Sequence, residues 1–326
     1  MSQVEDPVLT LIRLLKRYLW IVKDDGSLAS IYVSQEWYDR ELFKNYDGQI
    51  TVGSDRTEDN KLSFDGNLRH RLIFARINVW VVDKPEQGII GRTMRDKIRA
   101  DVNRVIREKR NHPNEVDYYF RGIGRSSGTH KAYHSASATE PSPSDSGWTE
   151  LTDIEYQKIW YSDNDRFNKS TSENGKYSLI LFRFKIDADE DVLKKIVLKF
   201  EGYGTAPAGN GATIKVWNHV ASTWQNAVSG TGGSDEVLTI TLSSNLPDYV
   251  DANGYVYLLA KTTNPSDGVT PALLYCDYSE IAFTVNGISY ADIASFRDMD
   301  DVQVKPFLWR TEFAVKSWLF ENVLTT

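Results

Sequence analysis

Arg69-His70-Arg71-Leu72-Ile73-Phe74-Ala75-Arg76-Ile77-Asn78-Val79-Trp80-Val81-Val82 is the stretch on which the reading of this chain turns. Ile73, Ala75, Ile77, Val79 and Val81 form one wholly apolar set, while His70, Arg76 and Asn78 interrupt the other. That is the period-two signature of a strand with one buried face. Asp83-Lys84-Pro85-Glu86 ends it, because proline has no N–H for a ladder and restricts the residue before it. Beyond the turn, Ile90, Met94, Ile98, Val102 and Val105 recur at helical spacing and predict one apolar stripe against the sheet. The other positions carry Arg92, Arg95, Lys97, Arg99, Arg104, Arg107, Lys109 and Arg110 against Asp96, Asp101 and Glu108, so the exposed helix face is expected to be basic.

Working outward, a chain of 326 residues with 41% apolar and 25% charged residues can bury a real core and is longer than one ordinary domain needs. Its net charge of -7 argues against a surface that binds nucleic acid throughout, while leaving room for a local basic helix. Cys276 is the single cysteine and permits no internal disulfide. No basic segment followed by an apolar one opens the sequence, and no apolar run approaches the roughly 20 residues of a membrane span. The expectation is a soluble chain without secretion signal or membrane contact.

Asp6-Pro7 is a helix start, with Val8, Leu11, Ile12, Leu15 and Leu19 as its stripe. Residues 20 to 67 alternate brief apolar runs with Asp/Gly turn signals and predict short strands joined by loops. From Gly122 to Trp148 the composition shifts to Gly, Ser, Thr and Pro, as expected of a linker. From Glu150 to Val285 short strands follow one another at near-regular spacing, as in a jelly-roll sandwich. Residues 306 to 320 then return to the length and pattern of the strand at 68 to 82. The fold expected is α+β, a small antiparallel sheet with packing helices, interrupted by an inserted all-β jelly roll. The boundaries are 1–121 with 297–326 for the α+β domain, 122–148 for the linker and 149–296 for the sandwich.

The chemistry-bearing residues are sparse. His70, His112, His130, His134 and His219 are scattered without metal or triad spacing, and the Gly122-Ile123-Gly124 run opens no helix. No enzyme, catalytic residue or cofactor-binding residue is expected. Asp163 and Asp165 on one loop, joined by Asp277, offer hard oxygen ligands for calcium, or make an Asx-rich turn. Trp217 and Trp224 offer flat indole faces to a saccharide, or pack as core. Arg92, Arg95 and Arg99 face DNA phosphates, acidic neighbours in an assembly, or solvent.

The order of helix, short strands, long strand, long helix and a closing strand ending Phe313-Ala314-Val315-Lys316-Ser317-Trp318-Leu319-Phe320 resembles the tail-terminator and tail-completion (neck) proteins of tailed phages and archaeal tailed viruses. The resemblance covers about 150 residues and rests on element order. It implies a virion structural protein assembled in the host cytoplasm: a homo-oligomer ring, usually a hexamer, that joins the tail tube to the head-tail connector, with genome DNA in its lumen. Two further runs, from Ile214 through Trp217-Asn218 to Trp224 and from Leu274 to Phe283, resemble strands of galactose-binding-like jelly rolls. That likeness implies a non-catalytic module binding host or capsid saccharide. The alternative to the virion subunit is a carbohydrate-binding cell-surface or adhesion protein whose α+β part docks it.

Overall fold

The computed structural model describes residues 3–322 apart from 36, 64–67, 302 and 304. The chain forms two compact units, residues 1–116 with 285–326 and residues 117–284. In chain order the first unit supplies α1 (Pro7–Tyr18), β1 (Ile31–Ser34), β2 (Gly48–Lys61), β3 (Leu68–Val82) and α2 (Gly91–Glu108). Next come β4 (Glu115–Tyr119), β5 (Lys131–Ser137), β6 (Thr149–Glu150), α3 (Asp153–Gln157), β7 (Phe167–Thr171), β8 (Tyr177–Lys185) and β9 (Leu193–Thr205). The remaining strands are β10 (Ala212–Asn218), β11 (Thr223–Ser229), β12 (Glu236–Leu242), β13 (Tyr255–Thr262), β14 (Ala272–Val285), β15 (Tyr290–Asp298) and β16 (Leu308–Asn322). Among the described residues no helix is long and apolar enough to cross a membrane.

In the first unit the five strands run in the order β1-β2-β3-β16-β15. β3 and β16 pair antiparallel along their whole length, from Leu68 opposite Asn322 to Val82 opposite Leu308. β1 joins β2 in parallel, so the sheet is mixed where the sequence leads one to expect it antiparallel throughout. The apolar set of β3 turns inward with Ile50, Val52, Phe313, Val315 and Leu319, and meets Leu11, Leu14 and Leu15 of α1 and Met94, Ile98, Val102, Val105 and Ile106 of α2. Each large side chain so buried contributes about 1.5–3 kcal/mol.

Local chemistry sets the helix starts. Asp6 accepts the Val8 N–H at 2.9 Å and caps α1. At α2, Asp83 Oδ1 accepts both the Gly91 N–H at 2.8 Å and the Trp309 indole N–H at 2.9 Å. A Cβ at position 91 would overlap the Trp309 ring, so this position requires glycine. Ile90 precedes the first helical turn and is exposed, so it does not belong to the stripe. β2 also differs from the brief strand expected near Gln49 to Val52. It extends to Lys61 beside β3, with residues 54–61 all exposed, and such a polar ladder leaves no apolar alternation to read.

The second unit is the sandwich. One sheet has the order β11-β10-β13-β8-β5-β6 and the other β12-β9-β14-β4, with β7 also on β14. Phe182 of β8 meets Phe200 of β9 at 6.2 Å between ring centroids and Phe120 at 5.6 Å, inside a core that includes Ile180, Leu198, Leu258, Leu274 and Phe283. Two expected boundaries change. The segment 122–148 is not a linker: Lys131–Ser137 is a strand paired residue for residue with β8, and Ala132 is fully buried. Ser and Ala serve such a strand because its neighbours supply the hydrophobic partners. β15, placed by sequence within 149–296, pairs with β16 and belongs to the first unit, because its backbone completes the edge of that sheet.

Asn114 and Val285 exchange hydrogen bonds, with Val285 N donating to Asn114 O at 3.0 Å and Asn114 Nδ2 donating to Val285 O at 2.9 Å. The ends of the first unit are therefore already in contact where the sandwich leaves and returns. Replacing residues 117–284 by a short Gly/Ser bridge is expected to leave a cooperatively melting α+β protein in circular dichroism; a chain without a thermal transition contradicts that independence.

Candidate binding face

The outer face of the six-stranded sheet is set by register. In β8 the core side takes Ile180, Phe182 and Phe184, leaving Leu179, Leu181, Arg183 and Lys185 on the other side. Tyr257 lies opposite Arg183, and Arg183 opposite Lys131, giving one row across three strands. Val216 pairs with Leu258, so Trp217 comes next to Tyr257 on the same face, and Trp224 lies directly opposite Trp217. The neighbouring row reads Lys215, Leu259, Leu181, Tyr133 and Glu150. On the far side of the first row, Tyr255 stands opposite Lys185. Tyr133, Tyr255, Tyr257, Trp217 and Trp224 are all half-buried, and thus present part of each ring.

Part of this face is roofed. Leu179, Leu181 and Leu259 point outward yet are 0, 1 and 0% exposed, which requires a cover. Segment 138–148 is fastened there at several points. Glu140 bridges Lys215 at 2.8 Å and Lys261 at 3.0 Å, Pro141 O accepts the Trp224 indole N–H at 2.9 Å, and Gly147 O accepts the Ser135 hydroxyl at 2.9 Å. Burial by itself would raise the Glu140 carboxyl, but the hydrogen bonds from Lys215 and Lys261 outweigh it and hold the pKa below the ordinary value.

The other part centres on Arg183. Its guanidinium lies over the Tyr255 ring at 4.5 Å, close to the 5.3 Å at which Lys185 Nζ approaches the same ring. Arg183 Nε is buried without a hydrogen-bond partner, and among the described residues no carboxylate pairs with the group. The Tyr133 and Tyr257 hydroxyls likewise make no hydrogen bond among the described residues, whereas Tyr255 donates to Gly128 O at 3.2 Å. Partial burial pushes the Tyr133 and Tyr257 phenols up, Asp251 adding to the rise at Tyr257 and Glu150 at Tyr133 while the Arg183 charge pulls the other way, so both hydroxyls stay protonated donors. Lys131 is neutralised by Glu150 at 2.6 Å, and Glu150 also accepts the Tyr156 hydroxyl at 3.3 Å.

Three comparisons bear on this unit. The AF_1625_C family model, described as "Uncharacterized protein, C-terminal domain", matches residues 127–285. No curated protein sequence matches the chain. Among solved structures, the xylan-binding module CBM15 is similar at 10% identity and a TM-score of 0.30, covering 52% of this chain and 97% of that one. The family 11 carbohydrate-binding module from Clostridium thermocellum, in complex with a beta-1,3-1,4-mixed-linked tetrasaccharide, is similar at 12% identity and a TM-score of 0.21, covering 53% and 89%. The enzymatically active domain of bacteriophage CBA120 tailspike protein 4 is similar at 10% identity and a TM-score of 0.23, covering 53% of this chain and 19% of that one.

The residues singled out from sequence fall in different places. Trp217 and Trp224 come together edge to face at 5.1 Å on the outer face of the six-stranded sheet, with Trp224 tied to the roof. Asp163, Asp165 and Asp277 do not converge as a calcium site, and among the described residues no three His, Cys, Asp or Glu groups form a metal-holding cluster. Both Asp277 oxygens accept the Asn164 N–H at 3.1 Å, Asp163 accepts the Asp165 N–H at 3.0 Å, and Asp165 pairs with Lys158 at 2.9 Å. The carboxylates thus organise an Asx-rich turn. Of the three arginines, only Arg92 is exposed. Arg95 is 2% exposed and reaches Asp96 at 2.8 Å, Asp298 at 3.4 Å and Asp300 at 2.7 Å, while Arg99 pairs with Asp298 at 2.6 Å. Arg95 and Arg99, two of the residues offered for phosphates or acidic neighbours, are thus matched within their own chain. Arg183 and the three tyrosines carry no sequence signal beyond strand alternation, which assigns them to an outer face without showing that they are adjacent.

The Glu140 bridge has a definite pH signature. Its folded pKa is depressed, so the stability it adds is present above the unfolded carboxylate value near 4.3 and is lost as pH falls through the folded value. Because the group is partly solvated, its contribution is expected at no more than about 1 kcal/mol. Glu140→Gln should lower the melting temperature at pH 7 and leave a smaller difference from the parent at pH 3, as followed by calorimetry.

Proposed function

We propose that the sandwich is a non-catalytic saccharide-binding module and that the sugar lies on the outer face of its six-stranded sheet. One observation carries the reading: Trp224, Trp217 and Tyr257 follow one another across adjacent strands, with Tyr255 and Tyr133 beside them, all partly exposed. Strands about 4.8 Å apart present such rings as a stepped platform, and an aromatic face packs against the C–H surface of a sugar while its polar rim binds hydroxyls. The roof segment bounds the platform on one side through Glu140 and Pro141. The nearby carboxylates are engaged, Glu150 with Lys131 and Glu140 with two lysines, so the face supports holding a glycan better than cleaving one. The test is a glycan array read with the full chain, followed by titration of the best ligand. Tyr257→Ala and Trp217→Ala should each weaken binding by roughly tenfold or more, the loss of an aromatic anchor. A chain that binds no glycan, or binds one equally well in both variants, removes the face from consideration.

A second reading places the α+β unit in a ring-forming neck subunit that the sandwich decorates. It is supported by the sheet side opposite the helices, where Tyr290 stacks on Trp318 at 4.4 Å and His70 on Phe320 at 5.0 Å with Phe320 half in solvent. Aromatic residues are enriched where proteins meet. Since Arg95 and Arg99 are matched internally, association through this face is expected to persist in salt. Light scattering that finds a monomer at both low and high salt counts against the ring.

A further inference from the structure

The saccharide reading leaves Arg183 unexplained, because a neutral sugar does not require a cation between tyrosines. The position is unusual in three respects. The guanidinium has no carboxylate partner among the described residues, although the chain carries a net charge of -7 and its other half-buried cations on this face are paired or bonded. Lys131 is held by Glu150 and by Arg125 O at 2.6 Å, and Lys185 is bonded to Asn253 O. The two hydroxyls nearest in register, Tyr257 directly opposite and Tyr133 one step diagonally, are donors without acceptors. Arg183 also lies over the Tyr255 ring, with its Cζ 4.5 Å from the ring centroid.

We propose that Arg183, with the Tyr133 and Tyr257 hydroxyls, is the seat for the carboxylate of an acidic saccharide, a uronic-acid unit within the chain bound on this face. The inference rests on the saccharide reading above and names its ligand class. A guanidinium presents parallel N–H donors matched to a planar carboxylate, and the phenols at the flanking register positions are further donors that an acceptor group can satisfy. Charge fixes the direction in which the ligand runs. Beyond Tyr255 and Lys185 the surface opens into a groove lined by Asp187, Asp189, Glu190, Asp191 and Asp251, which repels an anion. On the Tyr133 side the carboxylate opposite, Glu150, is already neutralised by Lys131, so the ligand carboxylate sits there and the neighbouring sugar units extend toward Tyr257 and Trp217.

The experiment is calorimetric titration of the full chain with trigalacturonate and with its fully methyl-esterified form, which keeps the rings and removes the charge. Trigalacturonate should bind at least about tenfold more tightly, the effect of one charge-assisted contact. Raising the salt should narrow the gap. Arg183→Gln should abolish the difference between acid and ester, the loss falling on trigalacturonate. Since Arg183 holds no other residue by a hydrogen bond or ion pair, the variant should fold, its melting temperature moved only by loss of the Tyr255 contact and relief of the buried Nε–H. If that variant does not fold, the ester comparison on the parent chain decides alone. Equal binding of acid and ester overturns the carboxylate seat and leaves the saccharide face standing. Preference for a sulfated trisaccharide over trigalacturonate also overturns it. Binding of neither acid, ester nor any glycan overturns both.

Discussion

The first unit depends on one ladder. β3 and β16 are separated by more than two hundred residues of sequence yet pair over their full length at the centre of the sheet, between β2 and β15. Closing so large a loop costs conformational entropy that local pairs do not, although the cost grows only slowly with loop length. The contact between Asn114 and Val285 accounts for how the chain tolerates it: the inserted unit leaves and re-enters at adjacent points. A folded insertion with neighbouring ends acts as a short bridge. Phe313, Val315 and Leu319 can then complete the same apolar layer as Ile73 to Val81.

The sandwich shows how one sheet face becomes partly core and partly surface. Leu179, Leu181 and Leu259 extend the apolar interior through the sheet to its outside, and a Ser/Pro-rich segment closes over them. Such a segment has little hydrophobic surface of its own. It is held by a carboxylate between two lysines and by carbonyls that accept an indole N–H and a hydroxyl. The roof ends where the tyrosines begin, and beyond it rings remain open to a ligand.

What could be read in the sequence follows from periodicity. The apolar set of β3, the stripe of α2 and the twin strand at the end of the chain all bury one side, so alternation located them. Polar elements were harder to read. The outer half of β2 is exposed along its length, and β5 is built from Ala, Ser, His and Tyr, so neither has a hydrophobic period, and both are strands only because a neighbour offers its backbone. The calcium reading failed for a related reason. Aspartates close in sequence found backbone N–H groups and a lysine as partners, and once those contacts form the oxygens no longer point to one centre. Trp217 and Trp224 were legible because each sits within a short strand-turn-strand run; Tyr133, Arg183 and Tyr257 come from three separated strands and meet only through register.

Two arginines differ in how their charge is met. Arg95 is almost wholly buried, and Asp96, Asp298 and Asp300 surround it, so removing any one partner leaves the others in place. A buried cation so enclosed fastens the α2 helix to the loop after β15 and offers nothing to a visitor. Arg183 is less buried and has no such company, and its Nε–H alone, sealed without an acceptor, costs about 1–3 kcal/mol. An acid on β5 or β13 would remove that cost, since Lys131 and Tyr257 lie directly opposite. The positions hold a second cation and a phenol donor instead. An internal acid partner would take up the guanidinium on which the proposed carboxylate seat depends, so that proposal rests on these positions holding donors.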